Sequence, residues 1–110
     1  MAALLVLCAC PDAATAEGLA ESLVERRLVA CVNILPGARS VYRWQGRIEK
    51  ADEVLMLMKT QSDRLHDLQE HVLLMHPYEL PEVLAFEATA GLDRYLHWID
   101  SETTPSGTPA

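Results

Sequence analysis

The chain has 110 residues, half of them apolar and 23% charged, a balance that fits one compact globular domain and leaves no room for a second. Sixteen acidic residues against nine basic ones give a formal net charge of −7. The average field therefore repels nucleic acid and anionic membrane surfaces, and it favours cationic partners.

Residues 2–10 are apolar but carry no Lys or Arg before them and are far too short to span a bilayer, so they read as neither a signal peptide nor a membrane helix. Within them, residues 4–10 form a continuous apolar run that stops at Pro11 and predicts a strand buried on both faces. Asp12 is placed to cap a helix whose apolar positions Ala16, Leu19, Ala20, Leu23, Val24 and Leu28 recur at i, i+3, i+4 spacing. Glu17, Glu21, Glu25 and Arg26 take its wet side. Residues 29–35 are apolar and β-branched, and they end at the turn dipeptide Pro36-Gly37, which gives a second strand. Residues 40–46 set Val41, Arg43 and Gln45 against Tyr42 and Trp44, the alternation of a third strand paired as a hairpin with the second.

Residues 53–60 are apolar on both faces through Met58 and belong inside the sheet. Ser62 is positioned to cap a second helix with the stripe Leu65, Leu68, Val72 and Met75. Pro77 ends that helix, because the residue before a proline is pushed out of the α region. The rigid segment 76–81 leads to a last strand over residues 82–88 and, after Gly91, to a short amphipathic helix carrying Leu92, Tyr95, Leu96 and Ile99. Residues 101–110 are rich in Ser, Thr, Pro and Gly and read as a mobile tail, so the domain covers residues 1–100.

The order β-α-β-β-(β)-α-β-α, with residues 40–46 and 53–60 as one long bent strand or two, matches the split β-α-β pattern of a ferredoxin-like α/β (α+β) sandwich. Its sheet is antiparallel and its helices lie on one face. Residues 4–10 and 53–58 are nevertheless apolar on both faces. The face that the helices leave bare needs cover, and further copies of the chain are the simplest supply. Three cysteines cannot all pair within one chain. Free thiols fit a reducing compartment, so the cytoplasm is the expected location.

Ala30-Cys31-Val32-Asn33, Tyr42-x-Trp44-x-Gly46, Glu53, Lys59-Thr60, His76-Pro77-Tyr78-Glu79-x-Pro81-Glu82 and Tyr95-x-x-Trp98-Ile99 occur in one order over the whole chain except its tail. Together they resemble the CutA family. The resemblance implies a ferredoxin-like protomer, a tight homo-trimer whose sheets pack around a three-fold axis, kinship with PII signalling proteins, and a link to tolerance of copper and other divalent ions. It implies no reaction.

Metal ligation is the sharpest chemistry in the residues. Cys8 and Cys10 lie two apart, so a regular strand turns both thiols to one face, and Cys31 occupies the neighbouring strand in the expected topology. Sulfur suits Cu(I), while His71 or His76 beside it would suit Cu(II) or Zn(II). Cys8 and Cys31 carry more of the resemblance than Cys10, so the ligand set expected is Cys8, Cys31 and His76, with copper as the ion. The opposing reading makes the cysteines small core hydrophobes and His76 a helix C-terminal cap. Asp63, Asp67 and His71 follow i, i+4 spacing and read as a solvated helix strip.

A second constellation, Trp44, Lys59, Tyr78, Glu79, Glu82 and Tyr95, combines aromatics with charges. In the resembled trimer it would border an inter-subunit cleft able to hold a small ligand, as in a PII-like sensor, or it would serve as interface packing. Glu79 and Glu82 flank a rigid turn, yet the chain has no nucleophile elbow, phosphate loop or dinucleotide fingerprint. A binding protein is therefore expected, and not an enzyme.

Overall fold

Strand β1 (Ala3–Cys10) lies inside the sheet, with a neighbouring strand on each edge. The computed structural model describes residues 2–105. After β1 come helix α1 (Ala13–Glu25), strands β2 (Cys31–Trp44) and β3 (Arg47–Gln61), a 3-10 turn (Ser62–Arg64), helix α2 (Leu65–Met75), strand β4 (Leu84–Glu87) and helix α3 (Asp93–Glu102). The sheet order is β2-β3-β1-β4 and every pairing is antiparallel, the arrangement of the ferredoxin-like fold.

Period-two alternation divides the sheet cleanly. Leu4, Val6, Cys8 and Cys10 of β1 and Val54, Met56 and Met58 of β3 turn towards the helices and are buried. They meet Ala16, Leu19, Ala20 and Leu23 of α1 and Leu68 and Val72 of α2. Each large apolar side chain fully removed from water there stabilises the fold by about 1.5–3 kcal/mol. Asp12 caps α1 as expected, its Oδ1 accepting from the Thr15 N–H at 2.8 Å. The helix closes in a Schellman turn: Leu28 N–H reaches Leu23 O, Arg27 N–H reaches Val24 O, and Arg27 sits at φ 58. Ser62 does not cap α2. It opens the 3-10 turn that precedes the helix, and no side chain caps the α2 N-terminus.

The largest departure from the sequence reading is the hairpin. Pro36-Gly37 is not its turn. Leu35 pairs with Leu55 and Ala38 with Glu53, so the two residues bulge out of a continuous β2, where an edge strand tolerates proline. The chain reverses at Gln45-Gly46, both with positive φ (50 and 80), a two-residue turn of the kind that matches strand twist. Residues 40–44 therefore continue β2 and pair with residues 47–51, which the sequence reading did not place in a strand. The bulge also resets the alternation. Cys31, Asn33 and Leu35 share the open face with Tyr42 and Trp44, although odd and even positions are exchanged between them.

The bare face carries Leu5, Leu7, Leu35, Leu55, Leu57, Leu84 and Phe86, the last two 53% and 48% exposed. α1 and α2 lie on the other side. α3 does not join them: its Tyr95 approaches Cys31, and Thr103 at its C-terminus holds Gln61, so it packs against one end of the open face. The expected tail also starts too early. Ser101 and Glu102 belong to α3 and Thr103 is fully buried. Thr104 also bonds back to the Asp100 carbonyl, and residues 106–110 of that expectation lie outside the described residues.

Candidate functional site

Cys8 and Cys10 emerge on the helix face of β1 two residues apart, and the cap of α2 brings His76 to them. The two sulfurs and a nitrogen of His76 all lie within 4.8 Å of one another, and all three residues are buried. The Cys10 Sγ is 3.7 Å from His76 Nε2 and 3.5 Å from Met56 Sδ. Met56 arrives through register, as the cross-strand partner of Cys8. Four soft or borderline donors thus meet at the end of β1 where it joins α1. A hydrogen bond to Cys10 holds the Cys8 thiol well above its usual pKa, and burial adds to the shift. The same bond, received from Cys8, lowers Cys10.

His76 is fixed on both sides. Its Nε2 is 2.8 Å from the Ala9 carbonyl, which only an N–H can satisfy, and its Nδ1 accepts the Tyr78 N–H at 3.1 Å. The imidazole is therefore in the Nε2–H form and ties the loop after α2 to the end of β1. Its ring also packs on Tyr78, with centroids 4.7 Å apart.

Cys31 is not part of this cluster. It pairs with Lys59, which in turn pairs with Leu5, so its thiol projects from the open face while Cys8 projects from the helix face. Strand alternation places a sheet thickness between them. Cys31 instead joins Lys59, whose Nζ lies 3.6 Å from its sulfur and also bonds Asn33 Oδ1, and Tyr95, whose hydroxyl lies 4.0 Å away. Burial first, then the Cys31 thiol, raises the Tyr95 pKa.

The aromatic and charged constellation likewise divides in two. Lys59 and Tyr95 stay with Cys31. Trp44, Tyr78, Glu79 and Glu82 line a groove of about 760 Å³ between the β2–β3 arm and the loop after α2, together with Tyr42 and Glu53. Tyr78 Oη donates to Glu53 Oε2 at 2.8 Å, and partial burial followed by this bond raises its pKa. His71 belongs to neither set. It is buried, not part of a solvated strip, with Nε2 2.7 Å from Ser22 Oγ of α1.

The sequence reading missed Met56 as a donor and ranked Cys10 below Cys31. The Cys8-x-Cys10 spacing was a visible signal, whereas Met56 became legible only once β1 and β3 were registered.

An antiparallel β-α-β-β-α-β sandwich with a buried thiol pair at the end of its first strand and an aromatic groove beside it defines the protein as a ferredoxin-like α/β domain. The description "CutA1 divalent ion tolerance protein" matches residues 4–102. The divalent-cation tolerance protein CutA of Pectobacterium atrosepticum is 44% identical over 99 residues, 90% of each chain. The chloroplastic protein CutA of Arabidopsis thaliana is 43% identical over 93 residues, 84% of this chain and 51% of that longer one. The crystal structure of CutA from Xylella fastidiosa superposes with a TM-score of 0.91 at 41% identity, covering 94% of this chain and all of that one. The chain belongs to the CutA1 divalent ion tolerance family. Among the described residues no helix is long and apolar enough to cross a membrane.

Proposed function

We propose that the protein is a homo-trimer that binds metal ions, copper foremost, and contributes to cation tolerance as a metal-responsive binding protein of the cytoplasm, without catalysing a reaction. The observation that carries the metal reading is the buried Cys8–Cys10–His76 cluster, whose sulfur-rich composition suits copper better than hard ions such as Mg²⁺ or Ca²⁺. Free thiols at all three cysteines fit a reducing compartment. The assembly is supported by the bare face: apolar side chains from all four strands lie open beside Trp98 and Tyr95 of α3, an area that copies of the chain would bury.

Metal titration of the purified chain, before and after blocking the thiols, tests the reading. Copper bound at about one ion per protomer and lost on thiol blocking is the expected result, and no uptake by the reduced chain sinks it. Sedimentation should give three protomers, and a stable monomer at micromolar concentration removes the trimer.

A second reading, a PII-like sensor or adaptor for a small molecule, is favoured by the groove lined by Trp44, Tyr78, Glu79 and Glu82, where aromatic faces and oriented carboxylates share one cleft. A thermal shift produced by a small ligand and unaffected by chelators would support this reading over the metal one.

A further inference from the structure

We propose that Cys31 and Lys59 form a reversible covalent cross-link under peroxide, in which Sγ of Cys31 is bonded directly to Nζ of Lys59. The pair lies outside the groove and a sheet thickness from the buried Cys8–Cys10–His76 cluster, so it is a separate modification site.

Register brings the two side chains together. Cys31 opens β2 and is the direct cross-strand partner of Lys59 on β3, on the open face of the sheet. Directly opposed residues hold their Cβ atoms about 4.5–5.5 Å apart, and here Nζ folds back to 3.6 Å from the sulfur. Asn33, two residues further along the same face of β2, accepts from Nζ through its Oδ1 and holds the lysine over the sulfur. Tyr95 of α3 closes the other side, its hydroxyl 4.0 Å from the same sulfur. An amine, a thiol and a phenol therefore share one point of the sheet.

Elimination of the other thiols leaves the amine as the reaction partner. Cys31 is half-buried, whereas Cys8 and Cys10 are 0% exposed and point to the helix face. Peroxide, little larger than water, meets Cys31 first. The sequence has three cysteines, so an oxidised Cys31 finds no resolving thiol on its own face of the chain, and the nucleophile beside it is Lys59. The pair sits at the end of the open face that α3 of the same protomer already covers, so copies packed over Leu84 and Phe86 leave it in place.

Hydrogen peroxide is the oxidant. The Cys31 sulfur attacks one peroxide oxygen, the O–O bond breaks, and the thiol proton leaves with the other oxygen as water, giving the sulfenic acid S–OH. The lone pair of the Lys59 amine then attacks sulfur and the S–O bond breaks. Tyr95 gives its proton to the departing oxygen, which leaves as a second water, and the phenolate recovers a proton from Nζ. Burial, then Cys31, holds this phenol above its usual pKa, so its proton is present to be given. Sulfur loses two electrons, one peroxide gains them, and an S–N bond remains. Two thiols reverse the step: the first attacks sulfur and frees the amine, and the second reduces the mixed disulfide. In the closed form Lys59 carries no charge, so closure removes a cation from the open face of a chain already at −7.

The test is peroxide treatment of the reduced, full-length chain without denaturant, followed by thiol blocking, proteolysis and tandem mass spectrometry. The expected product is one peptide pair joined through Cys31 and Lys59. It is lighter by two hydrogens than the sum of its parts, resists trypsin after Lys59, and is undone by dithiothreitol. Formation should quicken as pH rises, because only the deprotonated amine carries the attacking lone pair. Lys59→Arg keeps the charge and removes the amine, so its Cys31 should reach the sulfinic acid about tenfold more than the wild type at equal peroxide. Cys31→Ser should give no link. Should either variant fail to fold, the wild-type spectrum decides. Cys31 recovered as a sulfenic or sulfinic acid beside an unmodified Lys59, a Cys31 disulfide between two copies, a linked pair that retains an oxygen atom, or a Cys31 that does not react overturns the proposal.

Discussion

Replacing Thr103 by Val should destabilise the protein although the side chain keeps its size and lies outside every sheet and helix. Thr103 is fully buried just past α3, where its Oγ1 donates to the Ile99 carbonyl at 2.8 Å and accepts from Gln61 Nε2 at 2.8 Å. Gln61 is 5% exposed, and its Oε1 has no partner among the described residues. With Val at position 103, Gln61 Nε2 retains only a 3.4 Å approach to the Asp100 carbonyl. An amide donor left unsatisfied in a buried site costs about 1–3 kcal/mol, and the added methyl recovers only part of it. The neighbouring residue provides an internal control. Thr104 Oγ1 donates to the Asp100 carbonyl at 3.0 Å in an exposed position, so Thr104→Val should cost less than about 0.5 kcal/mol. Guanidinium denaturation at one fixed protomer concentration gives both values, with the midpoint shifted and the slope unchanged. Equal effects of the two substitutions, or a Thr103→Val cost below about 0.5 kcal/mol, would refute the claim that the end of α3 is locked through Gln61.

Stability should also respond to mildly acidic pH through His71. Burial, and after it the charge of Arg26, holds this imidazole below its usual pKa of 6.5, so the unfolded chain takes up a proton that the folded chain refuses. Its contribution is complete above pH 6.5 and declines as pH falls from there to the folded pKa. Denaturation midpoints over that window should fall in the wild type and flatten in His71→Gln; identical slopes would contradict the assignment. Phe86→Asp places a charge on the bare face of β4, pointing away from the α1 and α2 core, and should reduce the sedimentation mass of the proposed trimer without loss of helical circular dichroism. An unchanged mass would mean that this part of the face is not an interface. Gly46→Val meets no atom within 4 Å but forces a β-branched residue to φ 80, so a cost of about 1–2 kcal/mol from backbone strain alone is expected. A neutral outcome in denaturant would show that the arm turn can change type.

Much of the architecture was legible because periodicity and capping act locally. The Asp12 cap, the Ala16–Leu19–Ala20–Leu23 stripe and the apolar run 4–10 each state their surroundings within a few residues. The arm was not, and the reason is physical. Residues 47–52, Arg-Ile-Glu-Lys-Ala-Asp, extend beyond the helices and have no core face to record, so they lack the apolar signal that marks a strand. Pro36-Gly37 carries the composition of a turn, and only the pairing of Leu35 and Ala38 with β3 reveals a bulge. The candidate site divided along the same line. Cys8 with Cys10 follows from alternation on one strand, whereas the relation of Cys8 to Cys31 depends on the register of β1 on β3 and β3 on β2. That register sends Cys31 to the opposite face and brings Met56 in its place. His71 shows the same limit on a helix. Its spacing from Asp67 marked a surface strip, but the bond that buries it comes from Ser22, 49 residues away.

Alternation along β1 assigns the two proposed activities to opposite sides of one sheet. Val6, Cys8 and Cys10 face the helices, while Leu5, Leu7 and Ala9 face the side that assembly would cover. A metal ion among the buried sulfurs and a second protomer on the bare face therefore compete for no atom. They meet at the end of β1, where His76 bonds the Ala9 backbone and Tyr78, two residues on, reaches across to Glu53 in the groove. Pro77 stiffens the step between them, and the Nδ1 of His76 holds the N–H of Tyr78 itself. Loosening His76 thus removes a hydrogen bond from the residue that orients Glu53. The buried donors and the groove accordingly share one support, and metal uptake and groove occupancy need to be measured on the same samples.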